Sequence, residues 1–155
     1  MSDFRNGRYD MNRDDQTHSP SRFKEFLKLH LRRQRFLTQE QEARLLEEAV
    51  LRYNLTADEA NGVLRAATDD AEVVTEAELI SSTVQLLKAM SDKRNRITRE
   101  DFDKAADFYR SRTGTSLTPI EARKRVKRIM EEHALEPRRS GHLLKTRRWY
   151  RQIGE

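Results

Sequence analysis

The residues best suited to chemistry lie near the end of the chain. Arg138 and Arg139 are followed by Lys145, Arg147, Arg148 and Arg151, with Trp149 and Tyr150 set among them. Further back, Arg123, Lys124, Lys127 and Arg128 crowd one helical stretch. A guanidinium grips phosphate or carboxylate through a two-pronged fork, and an aromatic ring stacks on bases or on guanidinium. The chemistry these groups offer is recognition of an acidic or anionic partner: a protein surface, the backbone of a nucleic acid, or an anionic membrane. A plainer role is open to the same segment. Leu143, Tyr150 and Ile153 fall on one side of a short final helix, and Trp149 could anchor that helix to the rest of the chain or to a protein partner.

Catalytic chemistry has little to build on. The histidines are His18, His30, His133 and His142, two in probable tails and two on apolar helical faces. There is no His-Glu-x-x-His pair, no phosphate-cradling glycine loop and no Gly-x-Ser-x-Gly turn. The carboxylates are many, but no spacing marks out an acid–base pair. With 0 Cys, disulfides, thiolate metal sites and a cysteine nucleophile are excluded, and a reducing cytoplasm is the natural setting. No enzyme activity, cofactor or metal is expected. The first residues lack the apolar stretch of a secretory signal, and no apolar run approaches the ~20 residues that span a bilayer.

Charge is unevenly distributed. Lys and Arg outnumber Asp and Glu by 9 to 5 over 1–37 and by 11 to 5 over 117–155, but over 38–116 they are outnumbered 16 to 11. An acidic middle of net −5 thus stands between ends of +4 and +6. Such asymmetry bears on partners rather than on fold.

The elements that must carry these groups are helices. Charged residues are 37% of the chain, with only 5 Gly and 3 Pro, which suits helices better than strands. Four starts have the reciprocal capping pattern: Thr38 to Gln41, Thr56 to Glu59, Thr75 to Glu78 and Thr118 to Glu121; Thr98 to Asp101 has a shorter acid at the same place. Helices are predicted over 20–35, 39–53, 57–68, 76–90, 99–111 and 119–133. Their apolar seams are regular: Phe23, Phe26, Leu27, His30 and Leu31; Leu45, Leu46, Ala49, Val50 and Tyr53; Ala60, Val63, Leu64 and Ala67; Leu79, Ile80, Thr83, Val84, Leu87 and Met90; Phe102, Ala105, Ala106 and Tyr109; Ala122, Val126, Ile129, Met130 and His133. The first is a basic amphipathic helix, suited to the core or to a partner's groove. No strand is predicted. Residues 1–19 read as a disordered arm.

Leu45 to Val63 fits a helix-turn-helix template with Asn54 at the turn. The outward residues of its second helix, including Asp58 and Gly62, suit an ordinary hairpin better than DNA reading. Asp69 to Glu78 and Asp92 to Phe102 match the second half of a calcium loop. In the first half, Ala67, Ala71, Met90 and Arg94 occupy would-be ligand positions, and the turn glycine is missing. Over about residues 40–110 this run of short helices with acidic starts is similar to the TerB-like helical domains of tellurite resistance, without their Asp-Gly element. No function is carried across that likeness.

The chain is therefore read as all-α: a compact bundle of five to six short capped helices over 20–134, with a basic aromatic extension over 135–155. Its expected role is a non-catalytic adaptor or small subunit engaging an acidic or anionic partner, with nucleic-acid binding through the same residues as the alternative.

Overall fold

The computed structural model describes residues 19–114, 116–141 and 145–154. The fold is all-α, with seven helices among the described residues: α1 Pro20–Leu31, α2 Gln39–Tyr53, α3 Ala57–Asp70, α4 Glu76–Met90, α5 Arg99–Arg112, α6 Pro119–Glu132 and the short α7 Arg148–Arg151. Residues 1–18, assigned to a disordered arm, lie outside the described residues. Ser19, placed with that arm, belongs to the fold: its hydroxyl accepts the Arg22 N–H and caps α1.

The helix starts follow the threonines. Thr56, Thr75 and Thr118 each accept an N–H three residues on, while Glu59, Glu78 and Glu121 reach back to the cap N–H. At α5 the shorter Asp101 keeps the hydroxyl half of this pattern without the reach back to the cap N–H. It accepts the Thr98 hydroxyl at 2.6 Å while its own N–H donates to that oxygen. The first N–H of α2 donates to Glu76 Oε2 at 2.9 Å, and the same carboxylate takes the Arg125 guanidinium.

Two short pairings were not expected. β1 Phe36–Leu37 runs parallel to β2 Val74–Thr75, and β3 Arg96–Ile97 runs parallel to β4 Glu136–Pro137. Each strand has only two residues, too few to give an alternating apolar pattern. The first pairing also explains why α1 stops at Leu31 and not at Arg35. The chain must leave the helix to deliver Phe36 and Leu37, both buried, to β2.

By internal contacts the chain forms two compact units. Among the described residues, the first takes in 19–33 together with Glu40–Ala71; the second takes in Gln34–Gln39 and those from Glu72 onward. In the first, α1 packs on α3 through Phe23, Leu27, Leu31, Ala60 and Leu64, and Tyr53 lies against Phe23 and Phe26. Val50, assigned to the α2 seam, is exposed instead, as is its neighbour Leu51. His30 also lies at the surface, against Phe26. In the second, α5 packs on both α4 and α6 around Leu87, Ile97, Phe102, Tyr109, Val126 and Met130. Burial there pushes the Tyr109 phenol up to about 12.

Leu135, the boundary read for the basic extension, does not mark an edge in the packing. Leu135, Trp149, Tyr150 and Ile153 all join the core of the second unit. α6 ends in a Schellman turn. Leu135 N–H donates to Met130 O at 2.8 Å, Ala134 N–H donates to Glu131 O, and Ala134 takes φ 53. His133, placed on the α6 seam, is instead its exposed C-terminal cap.

Candidate anion-binding groove

β3 and β4 bring two distant basic stretches together. Glu136 N–H donates to Asn95 O at 2.9 Å and Arg138 N–H to Ile97 O at 2.7 Å. Asn95 makes this possible by turning the chain with φ 55, a left-handed conformation that asparagine tolerates better than most residues. Beyond Arg139 the chain folds back on itself. Ser140 and Thr146 exchange backbone hydrogen bonds of 2.8 and 3.0 Å across a loop that turns at Gly141, φ 140. Of that loop, 142–144 lie outside the described residues, and with them Leu143.

The result is an open cleft of about 920 Å³ between the start of α5 and the 138–147 segment. Six cations line it: Arg96, Arg99, Arg138, Arg139, Lys145 and Arg147. The other described lining residues are Thr98, Glu100, Asp103 and Ser140, so among the described residues no apolar side chain lines it. Small-molecule pockets of this size are mostly apolar; the described residues lining this one are all polar or charged.

Ion pairing decides the sign of the cleft. Arg96 is held by Asp92 at 2.8 Å and Arg147 by Glu136 at 2.8 Å. The two lining carboxylates are matched as well, Glu100 by Lys104 at 2.8 Å and Asp103 by Arg123. Arg99, Arg138, Arg139 and Lys145 are left without an ion pair among the described residues, and all four are exposed. Exposed pairs of this kind add little stability, but they cancel charge locally. The groove therefore carries four uncompensated positive charges.

The twelve residues singled out from the sequence separate into four groups. Arg138, Arg139, Lys145 and Arg147 come together in the groove. Arg148 and Arg151 sit on exposed faces of α7, outside it. Trp149 and Tyr150, read as partner-binding, are buried: each meets Phe102 edge to face, at 5.5 and 6.1 Å. The Trp149 indole donates to Arg138 O, and the Tyr150 hydroxyl donates to Lys127 O at 3.3 Å. Burial, then the charge of Glu131, pushes the Tyr150 phenol well above its ordinary value. A four-residue helix cannot hold itself together; α7 exists because these two rings pack.

The α6 cations form the fourth group. Arg123 lies over the Phe102 ring and pairs with Asp103. Lys127 lies over the Tyr150 ring while its ammonium donates to Ile153 O at 2.9 Å. Arg123 thus ties α6 to α5, and Lys127 fastens the tail to the core. Lys124, Lys127 and Arg128 line a second, smaller cleft of about 420 Å³, which Glu121 and Glu131 share.

Sequence reading missed Arg96 and Arg99. A signal was available, since Lys93, Arg94, Arg96 and Arg99 put four cations in seven residues within an otherwise acidic section. Nothing in the sequence tied them to Arg138, because the link is a two-residue parallel pairing.

The calcium-loop likeness has a structural explanation. Asp92 Oδ1 accepts the N–H groups of Arg94 and Arg96 at 2.8 and 3.0 Å, and Oδ2 accepts Arg96 Nε at 2.9 Å. The Arg96 side chain holds this carboxyl at a pKa of about 2, against an opposing effect of burial and with help from those backbone donors. The partners of this carboxylate are thus the Arg96 guanidinium and two backbone N–H groups. Among the described residues, no group of three or more His, Asp or Glu is placed to hold a metal ion, and no helix is long and apolar enough to cross a membrane.

No family model matches the chain, nor does any curated protein or solved structure.

Proposed function

We propose that this chain is a non-catalytic binding module, an adaptor or small subunit of a larger assembly, that engages an acidic or anionic partner through the groove between α5 and the 138–147 segment. The observation that carries this reading is the set of four cations, Arg99, Arg138, Arg139 and Lys145, that have no ion pair among the described residues. Their mounting supports it. The Arg138 backbone is fixed on both sides, by Ile97 O and by Trp149 Nε1, so less freedom is lost when a ligand is gripped. Among the described residues that line the groove there is no histidine, and both carboxylates are already matched by cations, which favours binding over proton transfer. A cytoplasmic setting accords with a chain that has 0 Cys.

The test is a titration at low salt with two labelled polyanions of unlike chemistry, a poly-glutamate and an oligonucleotide, read by fluorescence anisotropy. At least one should bind, and Arg138→Glu with Arg139→Glu should weaken it by tenfold or more. If neither polyanion binds, the reading fails.

A further inference from the structure

Resting on the groove as the binding surface, we infer that its partner is the phosphate backbone of a nucleic-acid duplex, held without reading base sequence. The first ground is what the groove lacks. A protein partner is gripped chiefly through a desolvated apolar or aromatic centre with charges at its rim. Among the described residues no apolar side chain lines the cleft, and the aromatic pair beside it, Trp149 and Tyr150, is buried in the core cluster. Affinity then comes chiefly from charge, the regime of phosphate contacts, where released counterions supply the free energy.

The second ground is the kind of cation. Three of the four uncompensated groups are arginines, whose forks match phosphate oxygens, and they come from two chain segments on either side of one open cleft. Phosphate contacts fix a protein on nucleic acid without conveying sequence. The burial of Trp149 and Tyr150 also separates duplex from single strand. Sequence-tolerant single-strand binding relies on bases stacking on exposed rings, and none lines this groove among the described residues. The duplex has the denser charge and is the better ligand for a surface that offers only charge.

The experiment is anisotropy with the full chain against four probes at matched charge: a labelled duplex, its single strand, a poly-glutamate peptide and phosphatidylserine vesicles. Duplex binding should be tightest and indifferent to sequence. Affinity should fall on the order of a hundredfold from roughly 50 to 200 mM salt, as about four phosphate contacts require. Arg138→Glu with Arg139→Glu should cut it at least tenfold, while Arg148→Glu with Arg151→Glu on α7 should cut it less than threefold. Lys145→Glu, on an exposed side chain, gives a second reading if the double variant fails to fold. Tighter binding of the peptide, the vesicles or the single strand overturns the inference but leaves an anion-binding groove standing, provided the groove variants abolish it. Failure of every probe overturns both.

Discussion

The indole N–H of Trp149 donates to the main-chain carbonyl of Arg138 at 3.2 Å. One hydrogen bond thus joins the core of the second unit to the rim of the groove. Trp149→Ala removes a large buried ring packed on Phe102 and Tyr150 and should cost about 3–5 kcal/mol in urea unfolding. Trp149→Phe keeps a ring but leaves the Arg138 carbonyl without its donor; that loss should cost about 1 kcal/mol, plus a smaller packing term. A Trp149→Ala cost under 1 kcal/mol would show that the ring is not part of the core.

A chain ending at Leu135 should lose the second unit altogether. It lacks Trp149, Tyr150 and Ile153, all in one core cluster with Phe102 and Met130. Each is worth about 2–5 kcal/mol, against a total domain stability of only ~5–15 kcal/mol. Amide exchange should show α5 and α6 unprotected in the shortened chain. Protection equal to that of the full chain would mean that the tail is an appendage.

Ala134→Gly should stabilise. Ala134 sits at the left-handed position of the Schellman turn with φ 53, where a Cβ costs roughly 1–2 kcal/mol. Set against glycine's greater freedom when unfolded, the net gain should be about 0.5–1 kcal/mol. A thermal midpoint that falls on this substitution would count against the turn.

Asp92 gives a pH signature. Its hydrogen bond to the Arg96 side chain, opposed by burial and aided by the Arg94 and Arg96 N–H groups, holds its pKa near 2 against an ordinary 3.8. A carboxyl depressed in the folded state contributes stability above its ordinary value and loses it as pH falls from about 3.8 towards 2. The carboxyl carbon shift of Asp92 should therefore titrate near the lower value, and Arg96→Gln should move the midpoint up. A midpoint in the ordinary range in the unaltered chain would contradict the loop geometry.

The helices were legible because their signals are local. A threonine with an acid three residues on, followed by an apolar seam, is complete within about one turn and a half. The α2 and α4 ranges read from sequence agree with the structure, Gln39–Tyr53 and Glu76–Met90. What escaped were features made by distant pairing. Arg35 reads as the end of a helix only while the pairing of Phe36 with Val74 is unseen, and Arg99 reads as an isolated cation only while the Arg96–Glu136 pairing, which draws Arg138 alongside, is unseen. The tail stays open between a partner and the chain's own core for a related reason. Arg147, Arg148 and Arg151 gave it a polar character, but the two rings between them are what pack, and four residues are too few to reveal which face turns inward.

The most direct test of the groove is the arginine side-chain Nε–H spectrum of the labelled chain as a polyanion is added. The resonances of Arg99, Arg138 and Arg139 should move together and saturate at one affinity, with those of Arg148 and Arg151 nearly still. Equal shifts at all five, or shifts confined to α7, would contradict a built groove and leave only a diffusely basic surface.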